Sequence, residues 1–352
     1  GKADVVVAGA IDDISIESVV GFGNMNATAE AATMRAKGIS DRHFSRANDR
    51  RRGGFVEAEG GGTVILARGS VAARMGLPVA GVVGFVSSYA DGAHTSIPAP
   101  GLGALGAGRG GRSSRLAKAL AALGVEADDI ALVSKHDTST GANDPNESEL
   151  HTRLAHALGR SEGNSLVAVS QKTITGHAKG GAAVFQVAGL TEILASGVAP
   201  GNASLDVVDA PLAKDAFWVW PRRPIRLAGR GGRDGRVPGA GPVRAGLLTS
   251  LGFGHVSGLI AIVHPGAFEA ALRQAAGQEA VDAWLASANA RLAAGTRRRR
   301  AGMIGRAPLF EPVQGRRLGE ESRQRDPHEV EAAMLLDPDA RLGTDGVYHT
   351  GE

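Results

Sequence analysis

The sequence predicts a mixed α/β protein, a layered sandwich of helices and sheets. Three observations predict it. Several apolar runs are continuous rather than alternating, the pattern of strands covered on both faces. Stretches with apolar residues at helical spacing lie between them. The core must also be aliphatic and tightly turned, because aromatics make up only 4% of the 352 residues while glycine reaches 51.

The elements follow in order. Runs at 5–10, 63–67, 79–86, 130–134 and 166–170 predict strands. Segment 113–123 predicts a helix with Leu116, Ala119, Leu120 and Leu123 on one stripe. Segment 146–158 predicts a second helix. It follows Pro145 and carries Glu147 and Glu149 in its first turn, where the helix dipole favours acid. Segment 181–195 is small and apolar all round, which predicts a buried helix. Strands are again predicted at 217–220, 244–251 and 257–263, and glycine-rich surface loops at 99–111 and 228–241. From 266 onward the character changes: 267–276 and 279–293 are alanine-rich and helical, and Arg297-Arg298-Arg299-Arg300 follows. This basic run reads as a solvated extension rather than an RNA-binding arm, because no aromatic platform is interleaved with it.

Composition narrows the function. With 43% hydrophobic and 21% charged residues the chain is globular, and a net charge of only +3 argues against a nucleic-acid binder. There is no cysteine, hence no disulfide framework and no thiolate metal site, which fits a cytoplasmic protein. No apolar run approaches the ~20 residues of a membrane helix, and no secretory leader is read. The chain opens at Gly1 and enters a strand at once, which suggests a piece of a longer polypeptide.

Some motifs carry little. Gly101-Leu102-Gly103-Ala104-Leu105-Gly106 has dinucleotide-fingerprint spacing but follows Pro98-Ala99-Pro100 rather than a strand. His151 and His156 are poorly spaced for a shared metal and read as surface histidines. Two other histidines carry more. His136 sits in Ser134-Lys135-His136-Asp137-Thr138-Ser139-Thr140, and His177 in Lys172-Thr173-Ile174-Thr175-Gly176-His177-Ala178-Lys179-Gly180-Gly181. Each comes after a predicted strand, among hydroxyls and glycines. Thr138 and Thr140 alternate, so on extended backbone both hydroxyls face one side and can hold an amide-bearing arm. Asp144 and Glu147 follow at a helix start and can anchor a cation, which Lys172 can supply. Phe253, in Leu251-Gly252-Phe253-Gly254-His255, lies between glycines and suits a gate.

In this order the motifs resemble the C-terminal part of a β-ketoacyl synthase, a condensing enzyme of the thiolase fold. Phe55-Val56-Glu57-Ala58-Glu59-Gly60-Gly61-Gly62 resembles that family's glycine-rich acidic segment. The wording around His136 and His177, with Asn143-Asp144-Pro145-Asn146-Glu147 and Ser170-Gln171-Lys172, is similar to the synthase domain of giant microbial type I fatty acid synthases. The tail at Leu335-Leu336-Asp337-Pro338 looks like the actinobacterial form. The resemblance implies an α-β-α-β-α layered fold, incomplete without an upstream part that holds the nucleophile. It implies that 1–78 end the N-terminal half of the synthase, that 79–265 form the C-terminal half, and that 266–352 are an extension.

The resemblance also implies roles. His136 and His177 donate hydrogen bonds to a malonyl thioester as it loses carbon dioxide. Lys172, Asp144 and Glu147 form a charged cluster that orients them. Thr138 and Thr140 hold a phosphopantetheine arm, and Phe253 gates the pocket while backbone N–H near it completes an oxyanion hole. No bound cofactor is implied. Acyl carrier protein, the other synthase domains and a second synthase copy are the implied partners, with no nucleic acid and no membrane. Asp137 and Ser139 depart from the pattern by standing where most of the family has glycine, as does His255. The family's nucleophilic cysteine has no counterpart in this sequence. Three readings remain: part of a condensing enzyme, a cysteine-less remnant that decarboxylates malonyl thioesters or binds carrier protein, and a structural segment of a larger assembly. Half a sheet leaves unpaired edges and apolar faces, so the isolated chain is expected to fold poorly. A sharp, reversible unfolding transition of a monomer would contradict that.

Overall fold

A computed structural model describes residues 3–91, 102–213, 215–227, 229–230, 238–252, 256–304, 341–342 and 348–349. Phe253, His255 and the 335–338 tail motif lie outside the described residues. The chain forms two compact units, Gly1–Leu285 and Ala286–Glu352.

The first half of the larger unit contains β1 (Val5–Asp12), α1 (Ile16–Asn24), α2 (Ala31–Ala36), β2 (Gly60–Ala67), α3 (Gly69–Met75), β3 (Val82–Ala90), α4 (Arg115–Ala121), β4 (Ile130–Ser134) and α5 (Asn143–Leu158). It continues with β5 (Leu166–Val169), α6 (Lys172–Thr175), α7 (Ala182–Ser196), β6 (Val198–Ala199), β7 (Trp218–Val219) and β8 (Ile225–Arg226). Short strands β9 (Gly229–Arg230) and β10 (Pro238–Gly241) precede the long pair β11 (Ala245–Gly252) and β12 (Val256–Val263). Helix α8 (Gly266–Met303) runs into the second unit. It breaks at Gly277 (φ 85°, ψ 175°), between the two helices the sequence predicts. In the second unit, β13 (Arg341–Leu342) pairs with β14 (Tyr348–His349).

A six-stranded mixed sheet in the order β3-β12-β11-β4-β5-β7 organises the larger unit. Strands β11, β4, β5 and β7 run parallel, and β12 is antiparallel to both β11 and β3. Its central strands are apolar on both faces because both faces are covered. Successive residues of β4 enter opposite cores: Leu132 joins Leu190 and Leu194 of α7, while Val133 joins Leu150 and Leu154 of α5. Val167, Ala168 and Val169 in β5, and Leu247 and Leu248 in β11, divide the same way. Each such buried aliphatic side chain contributes about 1.5–3 kcal/mol relative to exposure.

Strands β1 and β2 form a separate two-stranded antiparallel sheet. Its inner face meets α7, where a Cβ at Gly62 would lie 3.0 Å from Val184 and one at Gly60 3.0 Å from Phe185. The stack is therefore helix, sheet, helix, sheet, with α7 between the two sheets. The expectation that 5–10 and 63–67 are covered on both faces is corrected here. Val7 is 67%, Ile11 83% and Ile65 70% exposed. These strands read as continuous apolar runs because their outer face is apolar too, although no described residue covers it.

Local chemistry sets the boundaries. The Ser114 hydroxyl caps α4 by accepting from Ala117 N at 3.1 Å. Helix α5 begins three residues before the expected 146, because Pro145 is tolerated in a first turn and Thr140 Oγ1 accepts from Asn143 N at 3.1 Å. Helix α7 buries Gln186, Leu190, Ile193 and Leu194 but leaves Glu192 exposed, so it is sandwiched rather than enclosed all round. The described part of the expected 99–111 loop is not a surface loop: Ala104 and Ala107 are buried in a 3-10 turn. Within the expected 228–241 loop, β9 and β10 pair antiparallel.

Candidate active site

Both histidines lie beyond the C-terminal ends of neighbouring parallel strands, where polar backbone is free of the ladder. His136 follows β4 directly, and His177 follows β5 by way of α6. Their rings meet edge to face, with centroids 5.2 Å apart at 84°. Phe55 packs edge-on against His177 with centroids 4.8 Å apart. Segment 55–58 runs beside His177 like a short strand: His177 N donates to Val56 O at 2.8 Å, and Ala58 N donates to His177 O at 3.3 Å. This proximity explains Gly176, whose φ is +71° and whose Cβ would lie 2.7 Å from Ala58.

Hydrogen bonds define the protonation of both rings. Lys179 N donates to His177 Nδ1 at 3.0 Å. The Lys172 ammonium lies 3.1 Å from His136 Nδ1 and also donates to His136 O. A ring nitrogen that accepts carries no proton, so the neutral ring must carry it on Nε2. Both imidazoles therefore present Nε2–H as a donor. Burial, reinforced by the Lys172 charge, lowers His136 to about 3. Burial lowers His177 as well, with Lys172 and His136 adding to the effect. Lys172 itself is lowered by burial to about 8, against the pull of Glu147, Asp137 and Asp144.

The expected cluster of Lys172, Asp144 and Glu147 is present, but its contacts differ from expectation. Lys172 touches His136 rather than either carboxylate. Glu147 supports the backbone: it accepts from His136 N at 2.5 Å, from Asp137 N at 2.8 Å and from the Thr249 hydroxyl of β11. Burial opposes its charge, yet hydrogen bonding to His151 and the field of Lys135 keep it well below the usual carboxylate range. Asp144 accepts from Asn48 N at 2.9 Å and lies 3.5 Å from the Arg52 guanidinium. Burial, with Asp137 adding to it, pushes Asp144 up to about 7.

The Thr138 and Thr140 hydroxyls do share one side, 2.9 Å apart. The extended backbone expected between them is absent, because Ser139 has φ of 62°, as Asp137 just before them has φ of 37°. These are two of the positions where the resemblance leads one to expect glycine, and left-handed backbone is a conformation that glycine adopts without strain.

Several residues of the site escaped the sequence reading. His151 is not at the surface: it is 1% exposed, 3.0 Å from Thr249 Oγ1 and 3.8 Å from Glu147. Only His156 is exposed, paired with Asp215 at 2.6 Å. Lys135 is fully buried and pairs with Asp137 at 2.7 Å. Asn48 holds Asp137 at 2.7 Å, and Arg52 donates to Thr140 O at 3.1 Å. Gln186 of α7 donates to Lys135 O at 2.9 Å and to Thr249 O at 3.2 Å, joining three elements of the site. The one available signal was the density of Arg, Asn and Asp at 46–52, too polar and too short of apolar period to be an ordinary helix or strand. Two surface cavities, about 420 and 740 Å³, are lined by other residues, Leu120 and Leu158 in one and Trp220 and Arg223 in the other.

Comparison with known proteins finds relatives of the same fold. Residues 79–206 match the family model of the β-ketoacyl synthase C-terminal domain. Fatty acid synthase 2 of Mycosarcoma maydis is 35% identical over 350 residues, which are 99% of this chain and 9% of that protein. The chain thus spans under a tenth of that relative's length. The ketosynthase FabY from P. aeruginosa superimposes with a TM-score of 0.73 at 27% identity, over 87% of this chain and 45% of that one. A ketosynthase solved with its type II polyketide acyl carrier protein superimposes with a TM-score of 0.57 at 22% identity, over 75% of this chain and 57% of that one. The fold is the thiolase-like fold of ketosynthases.

Proposed function

We propose that this chain, whose residues 79–206 match the C-terminal domain of β-ketoacyl synthases, carries the malonyl-decarboxylating half of a 3-oxoacyl-carrier-protein synthase active in fatty acid biosynthesis. The observation that supports this most is the pair of neutral imidazoles, each with Nδ1 occupied and Nε2–H free to donate.

The chemistry follows from those donors. A malonyl thioester loses carbon dioxide when the electron pair of the breaking C–C bond passes to the thioester oxygen as an enolate. Two preorganised N–H donors stabilise that developing charge, and buried donors need no reorganisation as it forms. Neutral rings suit the task, since neither gives up a proton. The enolate carbon then attacks the carbonyl of an acyl thioester and expels its thiolate, which extends the chain by two carbons. That thiolate belongs to a cysteine this sequence does not contain. The Thr138 and Thr140 hydroxyls hold the amides of a phosphopantetheine arm, which arrives as part of the substrate on acyl carrier protein. Phe253 gates the entrance. Residues 1–78 complete the N-terminal half of the synthase, and 266–352 serve as an extension. The other synthase domains and a second synthase copy are the remaining partners, in a cytoplasmic assembly. Among the described residues no helix is long and apolar enough to cross a membrane.

Carbon dioxide release from malonyl-carrier protein by the complete polypeptide that carries this chain tests the proposal, and absence of release would overturn it. Its pH profile is a second check. The rate is expected to fall as a single titration above about pH 8, as Lys172 loses the proton it shares with His136 Nδ1. The linkage of Lys172 itself does not cause that fall through unfolding. The group's ordinary value is 10.5, so between about 8 and 10.5 the unfolded chain binds more protons at Lys172, and this residue's contribution to stability rises with pH. A profile flat to pH 10 would contradict the role of Lys172.

A further inference from the structure

We propose that Asp137 is a positioning residue that locks the His136 loop to the turn carrying Lys172. The inference rests on the function proposed above and adds a residue to it. Among the described residues, no hydrogen bond joins the Asp137 carboxylate to either imidazole. Its carboxylate is fully buried and meets three partners from three segments. Lys135 Nζ at the end of β4 lies 2.7 Å away, Asn48 Nδ2 donates at 2.7 Å, and Ser170 Oγ donates at 2.5 Å.

The segments joined are the ones that must keep register. Ser170 lies two residues before Lys172, whose ammonium fixes the His136 tautomer. Asn48 donates in turn to Asp144 through its backbone, and the Ser139 hydroxyl accepts from Arg46 N at 3.0 Å. Asp137 and Asn48 both have left-handed backbone, at φ 37° and 66°, a conformation that persists only where the surroundings over-determine it. Asp and Asn tolerate that region better than other non-glycine residues. A glycine at 137 would reach the same backbone without strain but could bind none of the three partners. Asp137 therefore exchanges backbone ease for a buried link between the His136 loop and the Lys172 turn. The charged and titratable groups around Lys172 are Asp137, Asp144, Glu147, His136 and His177.

Asp137→Asn keeps the size and the tolerance for left-handed backbone but loses the charge facing Lys135. In the complete polypeptide it is expected to lower kcat for malonyl decarboxylation about tenfold to a hundredfold. KM should stay within about threefold, because the loop's substrate-facing hydroxyls are not the lost group. Removing a carboxylate should also move the alkaline limb to lower pH. Ser170→Ala, a milder change that keeps the charge, is expected to give a smaller drop without the pH shift, and it decides the matter if Asp137→Asn does not fold. Nitrogen-15 spectra of histidine-labelled protein read the lock without turnover: His136 Nδ1 should be unprotonated in the wild type and mixed in Asp137→Asn. Wild-type rate, limb and His136 signal in Asp137→Asn would overturn the inference, as would a wild-type rate and signal in Ser170→Ala if that variant must decide. A wild type that never decarboxylates would overturn the function instead, and the His136 signal would still test the lock.

Discussion

His177→Ala and His136→Ala are each expected to lower malonyl decarboxylation by a hundredfold to a thousandfold. Removing one preorganised donor to a developing oxyanion costs about 3–4 kcal/mol, and each tenfold in rate corresponds to about 1.4 kcal/mol. The effect should fall on kcat, because the enolate charge exists only on the way through the reaction. The two substitutions should combine less than additively, since the rings touch at 5.2 Å and act on one oxygen. His177→Ala carries a second consequence, because Phe55 packs on that ring and Lys179 N loses its acceptor. Steady-state carbon dioxide release on both variants measures this. Rates within threefold of wild type would rule out paired donation.

Glu147→Ala is expected to destabilise the folded protein by about 3–5 kcal/mol, the range for breaking a buried charged network. Its carboxylate is the acceptor for His136 N, Asp137 N and the Thr249 hydroxyl, and it lies 3.8 Å from His151. The substitution leaves two backbone donors, His136 N and Asp137 N, buried without an acceptor. Against a typical total stability of about 5–15 kcal/mol that is a large share. Denaturant unfolding of the complete polypeptide checks it through the midpoint at unchanged slope. A loss below 1 kcal/mol would mean that water or a neighbouring side chain satisfies those donors.

Much of the central sheet is legible in the sequence, for a definite reason. Strands β4, β5, β11 and β12 are covered on both faces over most of their length, so burial imposes apolar residues on successive positions there. The first strand pair shows the limit of that signal. An apolar run looks the same whether its outer face is covered within the chain or left bare, as Val7 and Ile65 are. His136, His177 and Lys172 are also legible, because each stands in a dense local motif. The support around them is not. Asn48 and Asp137 are 89 residues apart, Gln186 and Ser134 are 52 apart, and His151 owes its burial to packing against Thr249. Polar groups joined across such separations have no periodicity, so nothing in the linear pattern distinguishes a buried Lys135 from a solvated one. The left-handed backbone at Asp137 and Ser139 is hidden for a related reason: tertiary bonds impose it on residues that do not demand it.

In the proposed mechanism His136 and His177 act as neutral Nε2–H donors. Nitrogen-15 spectra of the histidine-labelled polypeptide, recorded from pH 8 down to pH 5, test it most directly. The expected result is two histidines with unprotonated Nδ1 and protonated Nε2 that do not titrate in this range, against about 6.5 for an ordinary histidine. Titration of either ring near pH 6.5, or a proton on either Nδ1, would contradict it.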